Sequence, residues 1–129
     1  MAHKKRYMGI DIGSVSLNIV VADEAAGIET SIYRRTEGQP MATLLDALQG
    51  LGSAMDAFDG VVATGSGRKL VGRVLGVPDV NEIVTQATAA FHFYPQVHTI
   101  IEIGGQDSKL VFVDRDARTG GPLIIDHVL

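Results

Sequence analysis

The sequence carries one short pattern twice, and this repeat restricts the folds open to the chain more than any other feature does. The first copy is Gly9–Ser14 (GIDIGS) and the second is Ile100–Gly105 (IIEIGG), which gives an offset of 91 positions (100 − 9 = 91). Asp23 and Asp114 share this offset, with no insertion between the copies. Duplication of one supersecondary unit is the simplest explanation. We therefore expect two related strand–turn–strand units in one chain.

The spacing of apolar residues predicts a mixed α/β fold. The predicted strands are Tyr7–Ile12, Leu17–Asp23, Ile28–Arg35, Val61–Thr64, Val97–Ile103, Lys109–Asp114 and Pro122–Leu129. The predicted helices run from Pro40 to Met55, from Arg68 to Leu75 and from a cap at Asn81 to about Phe93. Three antiparallel strands open the chain, and the later alternation of strands and helices needs crossover connections. A mixed sheet covered by helices follows.

Two groups of side chains are predicted to pack in the core. One is the helical stripe Met41, Leu44, Leu45, Leu48, Leu51 and Met55, whose members recur at the helical period. The other is the aromatic group Phe91, Phe93 and Tyr94 at the end of the third helix, for which core packing is a better interpretation than stacking on a nucleic-acid base.

Composition excludes several classes of protein. Hydrophobic residues make up 46% and charged residues 20% of the 129 residues, as in ordinary globular domains. The net charge is −4 and the basic residues are scattered, which argues against nucleic-acid binding. The chain has no cysteine, no apolar run long enough for a membrane helix and no segment typical of a secretory signal. We expect a cytoplasmic protein that binds neither nucleic acid nor membrane.

Each copy of the repeat has the chemistry of a phosphate site. A carboxylate, Asp11 or Glu102, stands at the end of a buried strand and is followed by a glycine-rich turn and small polar residues. Glycine lets a backbone approach phosphate, N–H groups and hydroxyls donate to phosphoryl oxygens, and a carboxylate can hold hydrated Mg²⁺. We expect Asp11 and Glu102 to share the water shell of one cation, which also offsets the charge of a nucleotide triphosphate.

The alternative is a pair of turns retained for folding alone. Glycine and serine are common in hairpin turns, so one such turn is weak evidence for a ligand. Two turns with a carboxylate at the same place favour phosphate binding. Other nucleotide-binding motifs do not match, because Gly65–Gly67 lacks the third glycine of a dinucleotide loop and the chain has no Gly-x4-Gly-Lys-Ser/Thr segment.

Four segments resemble, in order, the motifs of the activator ATPases of 2-hydroxyacyl-CoA dehydratases and benzoyl-CoA reductases. They are Asp11–Ser14, Thr64–Arg68, Asn81–Ile83 and Ile103–Lys109. These activators belong to the superfamily of acetate and sugar kinases, heat-shock chaperones and actin. The resemblance implies a ribonuclease-H-like α/β fold in two lobes with Mg-ATP between them. Residues 1–98 would form the first actin-like lobe and residues 99–129 the opening strands of the second, so that the chain would be an N-terminal part of a longer protein.

The resemblance also implies roles for individual residues. Asp11–Ser16 would form the first phosphate loop and Glu102–Lys109 the second. The implied phosphate-binding residues are Gly13, Ser14, Ser16, Gly104, Gly105, Gln106, Asp107, Ser108 and Lys109. The implied catalytic residues are Asp11, Glu82, Glu102 and Gln106, with Asp11 and Glu102 as the ligands of Mg²⁺.

Three of these residues have a specific chemical expectation. The amide of Gln106 can donate and accept hydrogen bonds at once, as is needed to orient an attacking water. Lys109 would offset phosphate charge. Glu82 would lie near the metal and the water, and the alternative for Glu82 is a carboxylate that stabilises the first turn of a helix.

The chain departs from the family pattern at three positions, one of which is Ser66, where tyrosine is common. Asn18 stands where the first loop often ends in lysine, and Glu102 is one methylene longer than the usual aspartate. The activators also bind a four-iron, four-sulfur cluster between two subunits through cysteines. Since this chain has no cysteine, cluster ligands are expected only in residues beyond Leu129, and a homodimer is expected only for the full-length protein.

The function expected from the resemblance is ATP hydrolysis that drives a low-potential electron into a dehydratase or reductase acting on an acyl-CoA thioester. One alternative is another enzyme, a small-molecule kinase of the same superfamily. A second alternative is a non-catalytic module that binds nucleotide and takes part in assembly. Because phosphoryl transfer depends on positioning between two lobes, the 129-residue chain alone should bind nucleotide weakly and hydrolyse it poorly. Low-micromolar binding of Mg-ATP would contradict that expectation.

Overall fold

A computed structural model describes residues 4–52, 55–104 and 107–128. The chain forms two compact units, one up to Val80 and the other from Asn81 onward. The lobe boundary expected after residue 98 stays a prediction. Within the described ranges, no helix has both the length and the apolar character needed to cross a bilayer.

The first unit is a four-stranded mixed sheet with two helices, as the sequence predicts. Its elements are β1 (Arg6–Ile12), β2 (Ser16–Asp23), β3 (Ile28–Arg35), α1 (Pro40–Leu51), a short 3-10 turn (Met55–Ala57), β4 (Gly60–Thr64) and α2 (Arg68–Leu75). The strand order is β3-β2-β1-β4, with β1 to β3 antiparallel and β4 parallel to β1. Helix α1 provides the crossover from β3 at one edge of the sheet to β4 beside β1 at the other edge, as a connection between parallel strands requires.

The core of the first unit lies between the sheet and its helices. Alternate residues of β1 and β2 point to one face and are buried there with residues of α1 and α2. They are Met8, Ile10, Ile12, Leu17, Ile19, Val21, Leu44, Ala47 and Val71. Burial of such aliphatic side chains stabilises a fold by about 1.5–3 kcal/mol each.

Helix α1 is shorter than its apolar pattern predicts. It ends at Leu51 because Gly52 adopts a left-handed conformation, with φ of 68°, and its N–H donates to the carbonyl of Gln49. Met55 therefore lies in the separate 3-10 turn, although it still packs against the core. The prediction that Leu45 packs in the core is wrong, because its side chain is 47% exposed. Leu44, the preceding residue, is fully buried.

The second unit consists of one helix and an antiparallel sheet. Its elements are α3 (Glu82–Phe93), β5 (Thr99–Ile103), β6 (Ser108–Arg115) and β7 (Pro122–Val128), and the strand order is β5-β6-β7. Asn81 caps α3, as predicted, by accepting a hydrogen bond of 2.7 Å from the N–H of Ile83. Ala87 of α3 packs against Val111 and Val113 of β6.

The aromatic residues at the end of α3 were predicted to be core residues, and two of them are not. Phe93 and Tyr94 are 66% and 65% exposed. The stripe of α3 that faces the sheet runs through Ile83 and Ala87 at a spacing of four residues, so Phe91 continues it and Phe93 points elsewhere. Phe91 is half-buried beneath the guanidinium of Arg115, 4.9 Å from the ring centre.

The strand register confirms the internal duplication. Asp11 pairs with Asn18 across the β1–β2 hairpin, and Glu102 pairs with Lys109 across the β5–β6 hairpin, with both members displaced by 91 positions (102 − 11 = 91 and 109 − 18 = 91). Each meander also has an irregularity at the equivalent place, between Val21 and Ala22 in β2 and between residues 112 and 113 in β6. The two hairpins are therefore copies of one structural unit.

Asp23 closes the turn between β2 and β3, and we expect it to make stability depend on pH. Its carboxylate accepts hydrogen bonds from the N–H groups of Gly27 (2.8 Å) and Ala25 (2.9 Å) and lies 3.5 Å from the Lys4 ammonium. The bond from Gly27, followed by that from Ala25 and the charge of Lys4, outweighs the opposing effect of burial and lowers the pKa of Asp23. A lowered pKa stabilises the fold at neutral pH, and this stabilisation disappears as the pH falls through the folded-state value.

Asp23→Asn should therefore melt at a lower temperature than the unmodified chain near pH 7. The difference should shrink as the pH is lowered below about 4, where the aspartate itself becomes protonated. Asparagine keeps an oxygen that can accept both backbone hydrogen bonds, so the variant isolates the charge. Thermal denaturation across this pH range measures the effect, and a difference in melting temperature that is constant with pH would contradict the assignment.

Candidate functional site

The first predicted phosphate loop is a tight turn at the end of β1. The N–H of Gly13 donates to the carbonyl of Ser16 over 3.0 Å, which closes the turn. Ser14 is exposed and Ser16 is half-buried at the start of β2. Asp11 is half-buried near the end of β1, with Asn18 as its partner on β2 and Thr64 as its partner on β4. The candidate metal ligand Asp11 thus lies near the C-terminal end of β1, next to the turn.

Thr36 anchors the first turn, although no motif in the sequence predicts this role. Its hydroxyl donates to the carbonyl of Ser14 over 2.8 Å, and its N–H donates to the carbonyl of Val15 over 2.9 Å. Thr36 is only 1% exposed. A buried polar side chain is stable when its hydrogen bonds are satisfied, so this residue holds the carbonyls of Ser14 and Val15 in place. Its only signal in the sequence is a threonine just after β3.

The loop after β4 packs against Asp11. Gly65 has φ of 97°, and a Cβ at this position would lie 2.2 Å from the carbonyl oxygen of Ile12 and 2.7 Å from Asp11 Oδ1. The N–H of Gly67 donates to the carbonyl of Ile12 over 3.0 Å. In the sequence, this Gly-Ser-Gly segment is recognisable only as a family motif. In the structure, its Gly65 packs directly against the Asp11 side chain.

Two polar side chains hold the loop from its other side. The hydroxyl of Thr64 donates to the carbonyl of Val80 over 2.7 Å. Arg68 lies 3.3 Å from the Asp79 carboxylate and also donates to the carbonyl of Gly65 over 3.2 Å. The guanidinium has the rigid planar donors needed to bridge a carboxylate and a carbonyl. The loop conformation is therefore fixed by contacts distant in sequence.

The second predicted phosphate loop repeats the geometry of the first. The N–H of Gly104 donates to the carbonyl of Asp107 over 2.8 Å, which is the bond equivalent to Gly13–Ser16. Asp107 and Ser108 are exposed. Gly105 and Gln106, predicted to bind phosphate and to orient the attacking water, lie outside the described residues.

Lys109 brings three of the candidate residues of the second unit together. Its Nζ atom lies 3.4 Å from Glu102 Oε2, 3.5 Å from Asp107 Oδ1 and 3.9 Å from Glu82 Oε2. Burial alone would lower the pKa of Lys109, but the charges of Glu102, Glu82 and Asp107 together exceed this effect and raise the pKa above its ordinary value. The ammonium group is therefore charged at neutral pH, and it faces carboxylates.

The donor set suits Mg²⁺ better than a metal that requires a cage of protein ligands. Within the described part of the chain, no three histidine, cysteine, aspartate or glutamate side chains form a metal-binding group. Mg²⁺ is commonly held by one or two carboxylates, with water and phosphate oxygens completing its shell. Asp11 and Glu102, the two predicted ligands, are carboxylates of this kind, and Glu102 also has Lys109 as a cationic neighbour.

Comparison with known proteins gives one family match and several relatives of low identity. The model of the BadF/BadG/BcrA/BcrD ATPase family matches residues 8–120. The (R)-2-hydroxyglutaryl-CoA dehydratase activating ATPase of Acidaminococcus fermentans is 28% identical over 118 residues, which are 87% of this chain and 44% of that protein. The chain thus spans less than half the length of this relative.

Two solved structures share the fold. The crystal structure of component A of the A. fermentans (R)-2-hydroxyglutaryl-CoA dehydratase has a TM-score of 0.76 at 24% identity, over 95% of this chain and 46% of that one. The activator of the 2-hydroxyisocaproyl-CoA dehydratase from Clostridium difficile was solved with bound ADPNP. It has a TM-score of 0.72 at 27% identity, over 95% of this chain and 44% of that one. The matched residues include both hairpins, and the chain belongs to the BadF/BadG/BcrA/BcrD ATPase family.

Proposed function

We propose that this chain binds the phosphates of Mg-ATP through its two equivalent turns and serves as the nucleotide-binding part of an activator ATPase for an acyl-CoA dehydratase or reductase. The observation that carries the proposal is the repeated turn itself. Gly13–Ser16 and Gly104–Asp107 have the same closing hydrogen bond, and Asp11 and Glu102 occupy equivalent places ahead of them. The ADPNP bound to the C. difficile relative supports a nucleotide as the ligand.

The glycines of the turns support binding rather than folding as their purpose. A Cβ at Gly13 would lie 3.7 Å from its nearest neighbour, and one at Gly104 would lie 3.4 Å from Asp107. These are ordinary contact distances, so the fold itself would accept alanine at both positions. Glycine at these positions also leaves space for a phosphate to approach the backbone closely.

The hydrolysis we propose uses water as the nucleophile. A bond forms between the water oxygen and the γ-phosphorus, and the bond from that phosphorus to the oxygen shared with ADP breaks. We assign Asp11, Glu82, Glu102 and Gln106 to this reaction, in which Gln106 would orient the water and Asp11 and Glu102 would hold hydrated Mg²⁺. The ion, when bound, supplies positive charge that compensates the phosphates. N–H groups of the turns add electrostatic stabilisation.

The proposed partner follows from the relatives. The A. fermentans and C. difficile proteins are described as activators of 2-hydroxyacyl-CoA dehydratases, and an acyl-CoA dehydratase or reductase component is accordingly the partner that we propose. Since the chain has no cysteine, a thiolate-ligated iron–sulfur cluster is not part of what these residues themselves would bind.

Titration of the ¹⁵N-labelled chain with Mg²⁺ and ADPNP tests the proposal. We expect the amide signals of Gly13, Ser14 and Gly104 to shift together, because their N–H groups lie in the turns. Adenosine, which has no phosphate, should leave these three signals in place. ADPNP that shifts signals elsewhere and leaves both turns unchanged would contradict the proposal.

Gly13→Ala is the matched variant for this titration. It should change the free energy of unfolding by less than about 0.5 kcal/mol, because the site has room for the methyl group. The same methyl should weaken ADPNP binding about tenfold by blocking close approach to the turn. Loss of stability together with loss of binding would show instead that this glycine serves the fold.

A further inference from the structure

The second unit contains a lysine–carboxylate cluster, which consists of Glu82, Glu102, Asp107 and Lys109. The Lys109 side chain is 13% exposed, against 18% for Glu102 and 33% for Glu82. The carboxylates come from three different places: the first turn of α3, strand β5 and the loop before β6. One ammonium group therefore joins the helix to the hairpin.

The charges of the cluster argue against direct phosphate binding by Lys109. The three carboxylates and one ammonium of the cluster sum to a charge of −2, and all three carboxylates lie within 3.9 Å of Nζ, although Asp107 is 58% exposed. A phosphate oxygen approaching the same nitrogen would meet this negative charge at close range. Like charges repel more strongly where burial reduces screening by water.

The first hairpin shows that the turn does not need an ammonium group for its own geometry. Asn18 occupies the position equivalent to Lys109 and lies opposite Asp11, as Lys109 lies opposite Glu102. Both turns nevertheless close with the same hydrogen bond, at 3.0 Å and 2.8 Å. The function of Lys109 must therefore concern its neighbours rather than the shape of the turn.

We propose that Lys109 is a positioning residue, which holds the carboxylates of Glu82 and Glu102 beside the second turn and does not itself bind a phosphate group. The proposal rests on the proposed function, in which these two carboxylates take part in hydrolysis. Glu82 lies at the start of α3, just after the Asn81 cap, so the contact with Lys109 also ties this end of the helix to β5 and β6.

Hydrogen exchange measured by NMR, without nucleotide, tests the tie between helix and hairpin. In Lys109→Met, the amides of Thr85 and Gln86 should exchange about fivefold faster than in the unmodified chain, because partly exposed ion pairs contribute on this scale. Lys109→Arg keeps the positive charge and should stay within about twofold. Lys69→Met, which removes an exposed lysine of α2, is the matched control and should change neither amide.

Affinity for Mg-ADPNP tests whether Lys109 acts through the carboxylates. Lys109→Met should weaken binding about fivefold in the unmodified chain, but it should have little effect when Glu102→Gln is already present. If Lys109 binds phosphate directly, Lys109→Met should reduce the affinity by the same factor with and without Glu102→Gln. That result would overturn the proposal. Glu102→Gln also removes charge from the cluster, so the double variant remains informative if Lys109→Met alone folds poorly.

The two measurements separate the two proposals. Unchanged exchange at Thr85 and Gln86 in Lys109→Met would overturn the positioning role, whatever the nucleotide result. An unmodified chain that does not bind Mg-ADPNP, even at millimolar concentration, would overturn the proposed function while accelerated exchange still showed that Lys109 holds the helix to the hairpin.

Discussion

Gly65→Ala is expected to lower the free energy of unfolding of the first unit by about 3 kcal/mol. Two physical effects add at this residue. Its φ of 97° is costly for any residue with a side chain, and the new Cβ would lie 2.2 Å from the carbonyl oxygen of Ile12. Real carbon and oxygen atoms do not approach so closely, so the loop after β4 would have to move away from Asp11. Urea denaturation, followed by the amide signals of β1, measures the loss.

Gly38→Ala separates the two effects. Gly38 also has a positive φ, of 77°, but a Cβ there would have no neighbour within 4 Å. This variant should cost only the backbone strain, about 1 kcal/mol. Equal losses at the two glycines would contradict the claim that the loop is packed tightly against β1. Because the loop wall touches Asp11, Gly65→Ala should also weaken ADPNP binding, whereas Gly38→Ala should not.

The second large effect is expected from a pair of isoleucines at equivalent places in the two hairpins. Ile10 and Ile101 are displaced by 91 positions (101 − 10 = 91), and their cross-strand partners, Ile19 and Leu110, share the offset. Ile10 is 1% exposed and Ile101 is 71% exposed. Ile10→Ala should destabilise the first unit by about 3 kcal/mol through lost burial and a cavity, whereas Ile101→Ala should change stability by less than about 0.5 kcal/mol.

Unfolding of the two units should be followed separately, because a chain with two compact units need not unfold in one step. Amide signals of β1 report on the first unit and those of β5 on the second. A loss of about 3 kcal/mol in Ile101→Ala would show that this isoleucine is buried in solution by something other than the described residues. Similar small effects at both positions would contradict the core that we describe.

Local signals account for most of the predicted secondary structure. Pro40 begins α1 because its ring fixes the backbone angle that a first helical residue needs. Asn81 caps α3 because its side chain accepts a hydrogen bond from an N–H group of the first turn. Gly76 ends α2 in a left-handed conformation with φ of 69°. These effects involve neighbours within a few residues, and the residues can therefore be recognised without a structure.

The repeat also predicted the two turns and the carboxylates ahead of them. What it could not predict is which groups would surround them. Thr36 reaches the first turn from the end of β3, and Gly65 reaches Asp11 from the end of β4. Lys109 was expected to offset phosphate charge, but its place among three carboxylates depends on how α3 packs on the second sheet. Such contacts join residues far apart in the sequence.

The two hairpins show most clearly where local pattern stops being informative. Alternating apolar residues and a glycine turn are enough to specify a strand, a turn and a register, since these depend on side-chain period and on backbone freedom over a few residues. Burial is different, because a side chain leaves water only when another part of the chain covers it. Helices α1 and α2 cover Ile10 of the first hairpin, whereas Ile101 of the second faces away from α3. Among the described residues, the same local pattern is therefore buried in one unit and exposed in the other.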